Sequence, residues 1–519
     1  MLRRSIRASS SAAAARYFST AAETFDELTL DKEGGGKSGG KGGDTLCRRL
    51  MSLVHAKRSA VIAVRKWKEE GNSLRRFELS RSVRELRKLK RYKHALEICE
   101  WMQQQNDIQP APGDYAIQLD LIAKLHGLNS AQKFFDELPE NLKGQHTCTA
   151  LLHTYVQNKE TAKAEALMEK MSESGFLSYA LPFNHMISLY ISNGQLDKVP
   201  EVLQELKRTT SPDLVTYNLW LSVCASQNDV ETAEQVFLEL RKKRLVADWV
   251  THSTMANLYI KMGIIDKAKS TLREMEKWTC KKNRAAYSSL LSLYTHIRDK
   301  DNLNRIWKKF KASFRKLNDA EYTCMVSSLI KLDDIKMAEI IYTEWESVTG
   351  TRDTRVANIL LAAYINKKQM ETAENFYDNS MVQKGIPPSY TTWELLTWGY
   401  LEQKEVNKAV TYFKKAISSV KKWQHDEALI NEVFKLVEDQ GNVEAAEEVL
   451  LALRQAGHVT TEIYNFLLRT YLKSGKMPLV VAERMDKDNV KPDKETHKLI
   501  KKTSKLCISD VSSRFLEKA

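Results

Sequence analysis

Eleven histidines, seven cysteines and 66 acidic residues are the groups in this chain that could ligate a metal, attack a carbonyl or move a proton. Their spacing supports none of these. The sequence holds no His-Glu-x-x-His for a zinc-binding helix and no Gly-x-Ser-x-Gly for a nucleophile elbow. Cys47, Cys99, Cys148, Cys224, Cys280, Cys324 and Cys507 are scattered, with no Cys-x-x-Cys pair. That pattern reads as reduced, mostly buried thiols rather than a zinc site or a disulfide framework. Gly36-Lys37-Ser38 has the ending of a phosphate-binding loop, but Asp31 stands where its first glycine belongs. Neighbouring carboxylates such as Glu447-Glu448 read as solvated helix faces. No catalytic residue, metal site or cofactor is expected, and the chain is not expected to be an enzyme.

The chemistry therefore has to lie in repetition. The chain is 519 residues long with 20 glycines and 10 prolines, too few turn-formers for a β-rich fold or a series of α/β units. Hydrophobic residues make up 43%, so the chain can form a core despite a net charge of +14. No run of about 18 uncharged apolar residues occurs, and no membrane insertion is expected.

Segments of the form Leu-x-x-Ala-x-x-apolar place Ala95, Ala131, Ala164, Ala233, Ala268, Ala338, Ala373, Ala409 and Ala446 in register. Their separations are 36, 33, 69, 35, 70, 35, 36 and 37 residues, and the two doubled gaps hide units in which Val199 and Leu303 take the small residue's place. The period of about 35 divides the chain into twelve units: 76–111, 112–144, 145–179, 180–213, 214–248, 249–283, 284–318, 319–353, 354–389, 390–426, 427–460 and 461–493. Within each unit one apolar 3.6-period stretch is followed by a break, such as Asn193-Gly194 or Gln440-Gly441, and then by a second stretch. Each unit is thus a helix hairpin. Alanine at the twentieth position lets the two helices approach closely. The aromatic at the fourth position (Phe183, Tyr217, Tyr287, Tyr322, Trp393, Tyr464) reads as packing against the neighbouring unit rather than as a platform for a base. A lone hairpin cannot bury its apolar face, but a stack of twelve can. Residues 46–75 are expected to cap the stack at one end, and residues 494–519 to add one helix and a tail at the other.

The first 22 residues contain Arg3, Arg4, Arg7 and Arg16, many Ser and Ala, and no acidic residue. This is the composition of an organellar transit peptide, and Arg16-Tyr17-Phe18-Ser19 has the form of a mitochondrial processing site. The expected location is the mitochondrion, with the plastid as the alternative. Residues 23–45, with seven glycines between 31 and 44, read as a flexible linker.

Residues 214–248 (LVTYNLWLSVCASQNDVETAEQVFLELRKKRLVAD) and 249–283 resemble the 35-residue pentatricopeptide repeat, with its Val-Thr-Tyr-Asn opening, small residue at position 20 and Pro-Asp ending, seen here as Pro212-Asp213 and Pro492-Asp493. Uninterrupted units with no long or short variants look like the P class of that family. The segment from Arg81 to Met102 looks like that of its plant organellar members. The resemblance implies an all-α fold, a right-handed α-solenoid superhelix of about twelve hairpins. It also implies a monomer that binds single-stranded organellar RNA one base per repeat.

In that family the fifth and last residues of a repeat read the base. The resemblance assigns this role to Asn184 with Asp213, Asn218 with Asp248, Ser253 with Asn283, Ser288 with Asn318, Thr323 with Asp353, Asn358 with Ser389, Asn431 with Thr460, and Asn465 with Asp493. Glu394 with Asp426 gives no assignment. The implied preference of repeats four to twelve is U-U-A-A-G-Y-N-Y-U, where Y is a pyrimidine and N any base. Val215 and Val250, at the second position, would sandwich bases, whereas Arg355, Thr391 and Glu462 depart from the aliphatic pattern. Lys124, Lys261 and Lys331, at position 13 with Lys88 and Lys473, would contact phosphates. The alternative is a protein-interaction scaffold, or a subunit or assembly factor of the mitochondrial ribosome.

Overall fold

Scarcity of glycine and proline has its counterpart in a chain whose regular elements, among the described residues, are all helical. The computed structural model describes residues 45–504, apart from 54–58, 106, 279–282, 421–425 and 479. The expected transit segment 1–22, nearly all of the expected linker 23–45, Cys280, Cys507 and the tail 505–519 lie outside the described residues.

The chain divides into two compact units, residues 1–275 and 276–519. The first holds two leading helices, Leu46–Ser52 and Ala60–Glu69, and six hairpins. Hairpin one is Arg76–Lys88 with Tyr92–Gln103, hairpin two Pro112–His126 with Leu128–Glu137, and hairpin three Gln145–Gln157 with Thr161–Glu173. Hairpin four is Leu181–Asn193 with Val199–Thr209, hairpin five Leu214–Gln227 with Val230–Lys242, and hairpin six Trp249–Lys261 with Ile265–Glu276. In the second unit, hairpin seven is Arg284–His296 with Lys300–Ser313, and hairpin eight Asp319–Lys331 with Ile335–Thr349. Hairpin nine is Thr354–Asn366 with Met370–Phe376, prolonged by the π-helical segment Tyr377–Val382. Hairpins ten to twelve are Tyr390–Gln403 with Val406–Ser418, Glu427–Gln440 with Val443–Gln455, and Thr461–Ser474 with Val481–Lys487. Residues 494–504 form one further helix.

Steric demand fixes the hairpin crossing. All nine register alanines are buried, eight of them with no exposed surface, and Val199 and Leu303 are buried in the same place. The turn between the helices needs a left-handed residue, supplied by Gly194, Asn228, Gly263, Gly441 and Gly475 where the sequence shows a break. Lys90, Lys159, Lys368, Lys404, Arg298 and Asp333 take the same conformation at other turns. There the backbone cost of about 1–2 kcal/mol per residue is outweighed by the packing on either side.

Polar contacts tie one hairpin to the next. Glu239 accepts from Tyr217 Oη at 3.0 Å within hairpin five and from Lys207 of hairpin four at 2.9 Å. In the second unit Glu344 joins Tyr322 and Lys311 in the same way, at 3.1 and 2.9 Å. Glu447 is not the solvated carboxylate its neighbourhood suggests. It is half-buried and accepts from Tyr471 at 2.8 Å and from both guanidinium nitrogens of Arg484, because adjacent second helices place an acid opposite a base.

A buried charged cluster lies on the first helices of hairpins one to four. Arg87 and Asp120 pair at 2.7 Å with both side chains nearly enclosed, and Lys124 reaches the same carboxylate at 2.8 Å. His153 lies beside Asp120, and its ring is 4.9 Å from that of His185. Burial holds both imidazoles below their ordinary value of 6.5, with the nearby carboxylate of Asp120 partly opposing this at His153. Since the unfolded chain binds these protons more readily, stability should fall as pH drops below about 6.5, by up to about 1.4 kcal/mol per pH unit for each imidazole. Urea denaturation of the chain between pH 7.5 and 5 is expected to show that loss, and His185→Gln to reduce the slope by about half.

Candidate nucleic-acid interface

Every first helix begins with four backbone N–H groups that the helix cannot satisfy. The residue just before it, the last of the preceding repeat, is the natural cap. Asp213, Asp248, Asn283, Asn318, Asp353 and Asp426 all hold this position with a side-chain oxygen accepting from a first-turn N–H. Five of the last-position residues that the family resemblance assigns to base reading, Asp213, Asp248, Asn283, Asn318 and Asp353, are therefore first of all helix caps.

At four junctions the cap is linked to the fifth residue of the repeat it closes. Between hairpins four and five, Asn184 Nδ2 donates to Asp213 Oδ1 at 3.1 Å. Thr216 Oγ1 lies 2.8 Å from both Asn184 Oδ1 and Asp213 Oδ1, and accepts from the Asp213 N–H at 3.2 Å. Between hairpins five and six the same three groups recur: Asn218 to Asp248 at 3.3 Å, Thr251 to Asn218 at 2.6 Å, and Thr251 to Asp248 at 2.9 Å. Asn465, Asp493 and Thr496 repeat the arrangement at 3.2, 2.7 and 2.8 Å. Asn358, Ser389 and Thr392 form it with a hydroxyl in place of the carboxylate, at 3.2, 2.8 and 3.2 Å. The four asparagines are between 2 and 8% exposed, and the four threonines are wholly enclosed. Backbone and hydroxyl hydrogen bonds from Thr496 hold the Asp493 carboxyl below its ordinary range, so it stays ionised at neutral pH.

The twelfth junction shows what residues 494–504 contribute. Thr496 completes the triad of hairpin twelve, and His497 Nδ1 lies 2.7 Å from the Asp493 carbonyl just as His252 Nδ1 lies 2.7 Å from that of Asp248. The last helix thus opens in the manner of another repeat.

Other assigned pairs are placed differently. Thr323 donates to the Asp319 carbonyl at 2.7 Å, while Asp353 caps the Arg355 N–H and pairs with its guanidinium at 2.5 Å. That ion pair holds the Asp353 carboxyl below its ordinary range. Asn318 is bound into a capping box with Glu321, which also pairs with Arg284, and Ser288 is half-buried on the preceding first helix. Asn431 and Thr460 are both exposed, and no side-chain hydrogen bond caps the helix at Thr460. Ser253 lies on a first helix of the first unit and Asn283 caps a helix of the second. In hairpin three, Thr149 Oγ1 and Tyr179 Oη are 2.7 Å apart, so this pair also meets. In hairpin two, Ala116 leaves the fifth position without polar atoms.

Val215 and Val250 are half-buried in first turns. Lys261 Nζ is 3.5 Å from the Ala225 carbonyl, and Lys331 stands in the last turn of its helix, where its charge adds to burial in holding the His296 imidazole below its ordinary value. Lys88, Lys124 and Lys473 each face a carboxylate: Glu85, Asp120 and Asp439. Three of the five position-13 lysines thus face a carboxylate within the protein. The threonine at the third position of the following repeat is the participant that sequence reasoning missed. Its signal was present in Asp-x-x-Thr, where a cap residue is followed three positions later by a hydroxyl that can answer it.

Stacked helix hairpins joined through capped first helices define a helical-repeat protein, and comparisons name the repeat. The pentatricopeptide repeat domain matches residues 180–227, and the PPR repeat matches 146–176, 215–245 and 250–280. The pentatricopeptide repeat-containing protein At4g02820, mitochondrial, of Arabidopsis thaliana is 52% identical over 99% of both chains. A second Arabidopsis thaliana protein of this type, At2g20710, also mitochondrial by name, is 34% identical over 80% of this chain and 86% of its own. The chain belongs to the pentatricopeptide repeat family. Among solved structures, the maize pentatricopeptide repeat protein PPR10 aligns with 89% of this chain and 70% of its own at 18% identity and a TM-score of 0.47. Its complex with an 18-nucleotide psaJ RNA element aligns at 16% identity and a TM-score of 0.45, over 90% of this chain and 79% of that one.

If the last residue of a repeat serves first as a cap, Asp213→Ala should cost about 1 kcal/mol of stability and Asp213→Asn much less, since asparagine caps nearly as well. Urea denaturation of the two variants beside the parent checks this.

Proposed function

We propose that this chain is a sequence-specific single-stranded RNA-binding protein of the mitochondrion, acting in the stability, processing, splicing or translation of organellar transcripts, with one base addressed per repeat. The observation that carries the reading is the recurrence of one polar triad at four hairpin junctions, each built on a residue pair that the family uses for base recognition. A triad whose members are locked together presents its remaining hydrogen-bonding capacity in a fixed direction. In hairpin four that capacity is one amide hydrogen of Asn184 and Oδ2 of Asp213, neither of which has a partner among the described residues. A donor beside an acceptor is what the Watson–Crick edge of a base requires. Membership of the family and the mitochondrial names of At4g02820 and At2g20710 support the organelle. The acid-free, arginine-bearing first 22 residues support it as well.

Electrostatics plays the smaller part in this reading. Removing the first 22 residues takes away four arginines and leaves a net charge of about +10. Of the five lysines that would meet phosphates, Lys88, Lys124 and Lys473 already face carboxylates. Binding should then depend on contacts within individual repeats, with a shallow salt dependence for an RNA-binding protein of this size. The competing reading, a scaffold or ribosome-associated subunit, requires no base preference at all.

Two measurements follow. The chain lacking its first 43 residues should bind an RNA containing UUAAG more tightly than one with that core scrambled, and equal affinity at moderate salt would overturn the base-reading proposal. Asn218→Ala combined with Asp248→Ala should weaken the matched RNA by about 1–3 kcal/mol, the usual value of one good base contact, while leaving the scrambled RNA unaffected. Filter binding or fluorescence anisotropy reads both.

A further inference from the structure

We infer that the base preference of a repeat is set by three residues rather than two, the third being the threonine at position three of the next repeat: Thr216, Thr251, Thr392 and Thr496 act as positioning residues for Asn184, Asn218, Asn358 and Asn465. This rests on the base-reading proposal above and goes beyond it, by placing a determinant of each repeat's specificity in its neighbour.

The argument starts from the amide. A carboxamide has two donors and one acceptor oxygen that exchange places on a half-turn about its last torsion, and a base edge distinguishes the two orientations. Asn184 sits 98% enclosed, so it cannot turn to suit an arriving nucleotide. Its orientation has to be chosen beforehand. Asp213 Oδ1, at 3.1 Å, requires a donor and so draws Nδ2. Thr216 accepts from the Asp213 backbone N–H at 3.2 Å, which leaves its own hydrogen for Asn184 Oδ1 or Asp213 Oδ1, both at 2.8 Å. Asp213 Oδ1 already accepts from Asn184 Nδ2 and from the Thr216 N–H at 2.8 Å, whereas the hydroxyl is the donor in reach of Asn184 Oδ1, so the hydroxyl anchors the carbonyl end of the amide while the carboxylate anchors the nitrogen end. Without that hydroxyl the enclosed carbonyl of Asn184 has no donor, and an unmet buried acceptor drives the side chain out of the junction. Order imposed before binding is what converts a hydrogen bond into discrimination.

Comparison within the molecule supports this. At the four junctions where the third position holds threonine and the fifth asparagine, cap and asparagine are hydrogen-bonded. Asn431 is followed by Ile463 in that place, and it is exposed rather than enclosed. Thr323 and Asp353 are followed by Val356, and Asp353 turns to Arg355. Asn318 is followed by Glu321, which takes the cap for itself and binds Arg284. Thr147, opposite the apolar Ala116, closes back on the carbonyls of Leu142 and Gly144. Threonine alone does not make a triad, and neither does asparagine.

The test uses the chain lacking its first 43 residues and four RNAs that carry UUAAG with U, A, C or G at the first letter, opposite hairpin four. The parent should prefer U by about tenfold, the lower range for a good base contact. Thr216→Val removes the hydroxyl at nearly constant shape and is expected to reduce the spread among the four RNAs to within about twofold. Thr216→Ser should restore it. Because valine also removes the bond to the Asp213 N–H, thermal unfolding of all three proteins is followed in parallel. Simple destabilisation of the junction would lower affinity for the four RNAs together and leave their ratio intact. Retention of the parent's preference by Thr216→Val overturns the inference and leaves the base-reading proposal standing. Failure of Thr216→Ser to restore the preference overturns it too. A parent that does not distinguish the four RNAs overturns the base-reading proposal at this repeat, and the inference with it.

Discussion

A primary amide enclosed between two helices needs a donor for its carbonyl and an acceptor for at least one of its hydrogens, and that requirement organises four junctions of this protein. Asn184, Asn218, Asn358 and Asn465 are buried where one first helix packs on the next. Water cannot satisfy them there, so the neighbouring hairpin must. The groups it offers are those it needs for its own start, a capping side chain and a hydroxyl three residues on. Helix initiation in one hairpin and polar satisfaction in the previous one are thereby the same set of hydrogen bonds. A change at a junction is felt on both sides of it.

Ion pairs reinforce the joins between hairpins. The Arg87–Asp120 pair is buried, Glu239 and Glu344 each hold a tyrosine and a lysine, and Glu447 holds Arg484. A stack of hairpins has a long flank and no deep interior, so polar seams do some of the work that a larger core would do in a globular protein. Exposed pairs of this kind are individually weak, on the order of 0–1 kcal/mol. Their effect is to fix which face of each helix meets the next.

What could be read in advance depended on how each feature was encoded. The hairpins were legible because Ala95 through Ala446 recur at a spacing that only a repeated close crossing demands, and each of them is buried. Turns with glycine or asparagine were legible for the same reason, since Gly194 and Gly441 are the residues that a left-handed backbone prefers. Turns at Lys90, Lys159 and Lys404 were not, because lysine carries no such signal and the packing around it imposes the conformation. The polar pairs were legible as residue types through the family resemblance. Their geometry was not: Asn218 and Asn431 occupy the same position in sequence, yet one is enclosed and the other exposed, and Thr251 against Ile463 separates them. That difference lies in the next repeat, beyond the window in which a single repeat is read. Glu447, taken for a solvated acid, shows the same limit, since Arg484 is 37 residues away.

The triads also redefine where one module ends. A 35-residue unit cut at Leu214 or Trp249 parts an asparagine from the threonine that orients it. Duplication, deletion or laboratory shuffling along such boundaries would deliver repeats whose polar centre is incomplete until a suitable neighbour happens to follow. Cuts placed just after that threonine, between Thr216 and Asn218 and again after Thr251, would carry the asparagine of one repeat, its cap and the following threonine as one inheritable block. The segment that can be exchanged intact, ending at Thr251 rather than at Asp248, is thus displaced by about three residues from the segment that the sequence pattern displays.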